Sequence, residues 1–183
     1  KPHEHVSPVD GHVFSGGEYD AAWVYITHQR IAEATLTLAL TYALTDEEHY
    51  GEGAARYLVE YAERYPETIV HGKWAGKGRM MGQSLDEAVW IIPLIQAYDL
   101  LADSDLLVDA QHQALAENLF RPAASLLQGQ TSRVHNIHSW HNAAIGMVGL
   151  ITADPDLVDF AVNNPQSGFV TQLTEGVRSD GLW

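Results

Sequence analysis

Ten consecutive residues, from Arg133 to Asn142, hold three histidines, two asparagines, one arginine and one tryptophan: Arg133, His135, Asn136, His138, Trp140, His141 and Asn142. Arg, His and Asn all donate hydrogen bonds to a carboxylate, and His also moves protons near neutral pH. Trp offers a flat apolar face on which a ring can stack. The cluster precedes an apolar stretch, Ala143 to Ile151, that reads as a buried helix. It therefore sits at a helix N-terminus, where free N–H groups attract anions. A buried His/Asn network joining loop to helix is the plain structural alternative. Metal binding is a third reading, because His135, His138 and His141 recur every three residues. No Asp, Glu or Cys stands beside them, so no metal is expected.

A second constellation lies at Gly72 to Arg79, where Trp74 is interleaved with Lys73, Lys77 and Arg79, and Gln83 follows. A basic loop with an aromatic side chain could grip an acidic sugar, or it could be a solvated surface loop. It is not a phosphate-binding P-loop, since the glycine spacing and the final Lys-Ser/Thr are missing. Tyr25 and His28 are further candidates for a cleft wall, although aromatic residues at helical spacing more often pack in a core. His3, His5 and His12 form a weaker, His-rich N-terminal signal. No facing carboxylate pair of the kind used in glycoside hydrolysis stands out. Gly-x-Ser-x-Gly and His-Glu-x-x-His are also absent. None of these patterns calls for a cofactor.

The chain of 183 residues is 46% hydrophobic and only 19% charged, which suits a folded domain with a sizeable core. Its formal net charge is −14. That argues against nucleic acid or an anionic membrane as a partner, since both need a basic face. It also weighs mildly against an anionic ligand, unless the ten His and ten Lys/Arg gather locally. Without Cys there are no disulfides, thiolate metal sites or Cys nucleophiles. No apolar run reaches the length of a membrane span.

The elements that would position these residues are helical. Residues 1–19 read as an extended lead-in. Asp20 to Leu44 reads as a helix apolar on most sides, expected to be buried all round. Thr45 to Glu48 and Ser84 to Glu87 read as capping boxes, each opening a helix. The first of these helices should be amphipathic, with Glu52–Arg56 and Glu60–Arg64 pairs on its outer face, and Pro66 should end it. Helices are also expected from Asp105 to Gln128, bent near Pro122, and from Ser167 to Val177. Asp154-Pro155 should open a short amphipathic one. Alternating buried and amphipathic helices in antiparallel hairpins give an all-α class. The periodicity leaves an α/α toroid and an α-solenoid or irregular bundle equally open.

Three segments resemble the heparinase II/III-like polysaccharide lyases, a superfamily that includes oligoalginate lyases. They are Tyr19–Tyr25 with His28-Gln-Arg30, Gly76–Arg79 running through Gln83–Trp90, and His135–Gly146, the most specific. The ending Glu175–Trp183 also fits. The resemblance implies an α/α toroid, here incomplete, over residues 20–183. It implies β-elimination of a uronate-containing glycan, alginate or heparan-type, with an acidic polysaccharide as partner. By the resemblance, His135 is the base or the carboxylate partner and Asn136 neutralises the carboxylate, the two roles being exchangeable. Arg79, Gln83, Arg133, His138, Trp140, His141, Trp74, Tyr25 and His28 would bind the substrate or support the site. The resemblance places the catalytic Tyr downstream, with the β-sandwich region. The remainder of the same enzyme would supply both, so this chain alone is expected to be incomplete. A periplasmic or secreted location is expected. A non-catalytic glycan-binding module and a toroid-fold glycoside hydrolase are the competing readings.

Overall fold

The computed structural model describes residues 3–72 and 76–182. Trp74 lies outside the described residues, as does Lys73.

The lead-in is not wholly extended coil. His5–Val6 (β1) and Val13–Phe14 (β2) pair antiparallel. Two imidazoles fasten this hairpin to the first helix: His3 Nδ1 lies 2.7 Å and His5 Nε2 2.8 Å from the two oxygens of Asp20. Helix α1 spans Gly17–Thr45. Asp46, at φ 60°, turns the chain, and α2 follows at Glu48–Arg64. So short a link makes α1 and α2 an antiparallel hairpin. A single 3₁₀ turn at Tyr65–Glu67, with Pro66 inside it, ends α2. Then come α3 (Ser84–Leu101), α4 (Asp109–Ala114), α5 (Arg121–Gln128), α6 (Asn136–Ile151), α7 (Pro155–Asn163) and the single turn α8 (Phe169–Thr171). Two π segments interrupt the pattern, Leu115–Phe120 and Gln172–Gly176. The first sits just before Pro122. Proline cannot donate to the preceding turn, and a wider π register absorbs the lost bond.

The layers follow from who packs on whom. Helix α1 packs on α3 and α3 on α6, while α2, the α4–α5 rod and α7 flank them on the outside. The core is built around Trp90, Tyr65, Phe120 and the leucines and isoleucines of α3. Trp90 meets the Tyr61 ring edge-on at 5.1 Å and stacks on Tyr65 at 5.9 Å.

Three expectations are corrected. Helix α1 buries only Ala32, Thr35 and Ala39 and leaves Ile26 and Leu44 exposed, because α2 and α3 cover one side of it and nothing described covers the other. Neither capping box forms. Thr45 bonds back to the Thr41 carbonyl at 2.7 Å and belongs to the end of α1. Ser84 is already helical, and Glu87 turns inward to other donors. Of the two ion pairs expected on α2, Arg64 meets Glu60, with its Nε at 2.6 Å. The Asp154 cap does form, accepting the Leu157 N–H at 3.3 Å.

Helix α6 meets α7 through glycine. A Cβ added at Gly149 would stand 2.9 Å from Val158 N and 3.0 Å from Asp154 O. Those are backbone atoms and cannot swing aside. Alanine gains helix propensity but must push the helices apart, and overpacking of this kind costs about 1–3 kcal/mol. Gly149→Ala is therefore expected to lower Tm, and an unchanged Tm would show that α7 shifts freely.

Candidate functional site

The loop before α6 and its first two turns grade the three histidines from solvent to core. His135 is the N-cap residue, half-buried, and its Nδ1 accepts the Ile137 N–H at 3.2 Å. A ring nitrogen that accepts cannot carry the proton, so neutral His135 holds its proton on Nε2. His138, one turn on, is 8% exposed. Its Nδ1 lies 2.6 Å from the Arg133 carbonyl oxygen. The Arg133 N–H also points at that nitrogen, but from 3.2 Å. The shorter contact requires Nδ1–H, which leaves Nε2 with a free lone pair. The two rings, 6.0 Å apart and tilted by 53°, thus offer opposite functions: a donor on His135 and an acceptor on His138.

His141 is fully buried. It pairs with Thr131 Oγ1 at 2.9 Å and supports the loop from beneath. Burial first, and then the neighbouring His138, lower its pKa to about 4. The folded protein therefore keeps this ring neutral while the unfolded chain, near 6.5, takes up a proton. Stability should be intact above pH 6.5 and fall as the pH drops toward 4, by up to roughly 3 kcal/mol. Urea unfolding across that range checks this. His141→Gln should flatten the acid limb, and an unchanged limb would assign it elsewhere.

Asn136 and Trp140 are exposed on α6 one turn apart, so they share a face. Arg133 is exposed as well. A cavity of about 410 Å³ opens at the loop before α6, lined by Gly76, Gln130, Ser132, Arg133, His135, Ile137 and His138 but not by Asn136 or Trp140. That volume suits one or two sugar rings.

The Gly76–Gln83 loop reaches this cavity by its backbone. Gln130 accepts the Lys77 N–H and donates back to the Lys77 carbonyl at 2.7 Å. Glu87 organises the rest of the loop. It is fully buried, and its oxygens take N–H donors from Met81 at 2.8 Å, Arg79 at 3.1 Å and Met80 at 3.3 Å, plus the Tyr65 hydroxyl at 2.7 Å. Burial raises the pKa of its carboxyl above the usual value, and these donors offset only part of that rise.

Other candidates are placed elsewhere. The Arg79 guanidinium bonds to the Tyr65 and Pro66 carbonyls at 3.4 and 3.3 Å and stands 5.4 Å from the Tyr65 ring centre, so it caps the end of α2. Gln83 bonds to Asp86 at 2.9 Å at the start of α3. His28 lines a different cavity, between α1 and α2, and meets the Tyr61 hydroxyl at 2.9 Å. Tyr25 is exposed on α1. Among the described residues no three His, Asp or Glu side chains are arranged to hold a metal ion.

Sequence reasoning missed Gln130, Glu87 and Gln172. Gln172 is buried and hydrogen-bonds to the His135 N–H and to the Arg133 carbonyl, on either side of Val134. Glu87 had a signal, a carboxylate whose neighbours one turn on, Trp90 and Ile91, are apolar. The two glutamines had none, because their partners are backbone atoms distant in sequence.

The family model for alginate lyases matches residues 18–178. The chain is 30% identical over 179 residues to an exo-oligoalginate lyase of Saccharophagus degradans, covering 92% of this chain and 24% of that protein. It is 30% identical over 165 residues to an alginate lyase of Stenotrophomonas maltophilia, covering 85% of this chain and 22% of that protein. The chain thus spans about a quarter of the length of these curated relatives. With nearly all of the helical region matched, this chain belongs to the alginate lyase family.

Proposed function

We propose that the protein is a polysaccharide lyase that cleaves alginate or its oligosaccharides by β-elimination. The observation that carries this is that His135 and His138 line one cavity with complementary free ring nitrogens, a donor on His135 and a lone pair on His138. A uronate C5 proton is weakly acidic. Neutralising the adjacent carboxylate stabilises the enolate-like intermediate that forms on its removal. In this reading the His135 Nε2–H, with Asn136 and Arg133, binds the carboxylate. His138 Nε2 takes the C5 proton. The electron pair then forms the C4=C5 double bond as the C4–O bond breaks, and an acid protonates the leaving oxygen. This departs from the sequence-based assignment, in which His135 and Asn136 shared the roles of base and carboxylate partner and His138 only supported the site.

The hairpin order supports reading residues 20–183 as part of an α/α toroid. The remainder of the enzyme would supply the acid, a downstream Tyr, and the β-sandwich region. The heparinase II/III-like grouping is broader than what matches, and heparan-type chains are the less favoured substrate. Both relatives carry alginate in their names, and Arg133 is the one cation among the described residues lining the cavity. Sulfated chains ask for more. A periplasmic or secreted location suits a polymeric acidic substrate. No helix among the described residues is long and apolar enough to cross a membrane.

The test is cleavage of alginate oligosaccharides in heavy-oxygen water. Read before the new hemiacetal exchanges with water, elimination leaves the products free of solvent oxygen at the cleaved bond, whereas one solvent oxygen per cleavage would mean hydrolysis. Trp140→Ala should raise KM about tenfold, the loss of roughly 1.4 kcal/mol of ring stacking, with kcat near wild type. An unaltered KM would remove Trp140 from the site.

A further inference from the structure

The segment after α7 returns to the site through one buried amide. Gln172 is 2% exposed and begins the π segment Gln172–Gly176. Its Oε1 accepts the His135 N–H at 3.1 Å. Its Nε2 donates to the Arg133 carbonyl at 3.2 Å and to the Ser167 carbonyl at 3.1 Å. Ser167 O also accepts from Asn142 Nδ2 at 2.6 Å, which ties the same node to α6. The turn below is built to hold Ser167 there. Asn164 Oδ1 accepts from the Ser167 N–H at 3.2 Å, and a Cβ at Gly168 would strike Asn164 N at 2.5 Å.

The Arg133 carbonyl is the shared element. It accepts from Gln172 and also from His138 Nδ1–H at 2.6 Å. Its direction decides which nitrogen of His138 carries the proton. The Gln172 side chain does not line the His135–His138 cavity. It acts on the pair only through the main chain, gripping Arg133 and His135 on either side of Val134.

We propose that Gln172 is a positioning residue for this pair. By fixing the Arg133 carbonyl and the His135 N–H, it holds His138 in the Nδ1–H form with Nε2 open, and holds His135 at the helix cap with Nε2–H outward. This rests on the reading that these two histidines do the chemistry. Without the amide, the carbonyl is free to turn, His138 loses its anchor, and the proton shifts toward Nε2. His135 keeps its own bond to the Ile137 N–H, so the carboxylate contact stays in place and the defect falls on kcat.

The experiment compares wild-type protein with Gln172→Met, Gln172→Glu and His138→Gln on alginate oligosaccharides, and reads the histidine ring nitrogens by NMR. Gln172→Met removes both hydrogen-bonding functions. Gln172→Glu keeps the shape and the acceptor but sets a carboxylate oxygen against two carbonyls. Both Gln172 variants should lose about 100-fold in kcat, the scale expected for a misplaced catalytic group, with KM within about threefold. Wild-type His138 should show the Nδ1–H tautomer, and the Gln172 variants a larger share of Nε2–H. Gln172 variants that keep wild-type kcat while His138→Gln is inactive would overturn the inference alone. A fully active His138→Gln would overturn the underlying site reading instead. The wild-type tautomer decides the matter even if a Gln172 variant does not fold: an Nε2–H ring on His138 contradicts the proposal.

Discussion

Replacing His138 with glutamine is expected to lower kcat on alginate oligosaccharides by about 10³-fold, with little change in KM. A positioned general base contributes typically 10²- to 10⁴-fold. His138 Nε2 is the group at the cavity whose lone pair is left open by its own hydrogen bonding, since the Arg133 carbonyl holds the other nitrogen at 2.6 Å. Glutamine keeps much of the volume and can still donate to that carbonyl, so the loop should hold its shape. His135→Ala is expected to behave differently. It removes a carboxylate donor that acts in both ground and transition states, and it also removes the cap of α6, worth about 1 kcal/mol of stability. KM should rise as kcat falls. If His138→Gln keeps wild-type kcat while His135→Ala abolishes it, the two roles are the reverse of those assigned.

The largest expected effect on stability lies away from the histidines, at Glu87. Four donors converge on its carboxylate from Arg79, Met80, Met81 and Tyr65, with no solvent exposure. In Glu87→Gln one acceptor oxygen becomes an NH2 group that only donates, and it must face N–H groups already committed to this point. Each buried donor left without a partner costs about 1–3 kcal/mol. Breaking the set should cost about 3–5 kcal/mol, a large fraction of the 5–15 kcal/mol that holds a typical domain together. For a chain of this length the drop in Tm would be on the order of 10 °C. The loop from Gly76 to Gln83 would loosen with it, and Gly76 lines the cavity, so kcat/KM should also fall at temperatures where the variant is still folded. A shift in Tm of only a degree or two would mean that water replaces the carboxylate and that the loop is held by Gln130 instead.

The sequence made the architecture legible where helices alternate between apolar and amphipathic. The α2 face through Ala54, Leu58, Tyr61 and Ala62 is buried as its spacing requires, and Asp154-Pro155 opens α7 as its chemistry requires. Burial of α1 was misjudged because an apolar surface shows only that a partner is wanted, not that one is present. The Arg133–Asn142 cluster was visible from composition alone, but composition could not grade it. Backbone hydrogen bonds make His138 an acceptor, His135 a donor and His141 a core residue, and the sequence does not record those bonds. Arg79 looked like a substrate cation, yet its guanidinium finds two helix-end carbonyls first. Glu87 looked like a cap until its donors were seen to come from the preceding loop.

The central claim is that this cavity supports elimination on a uronate. It is tested most directly by following ultraviolet absorbance of the new C4=C5 double bond when the protein acts on alginate oligosaccharides and, separately, on a neutral glucan. The account predicts absorbance rising with alginate, flat with the glucan, and about 10³-fold slower with His138→Gln. New reducing ends without any rise in absorbance, or a rise that His138→Gln leaves untouched, would contradict it.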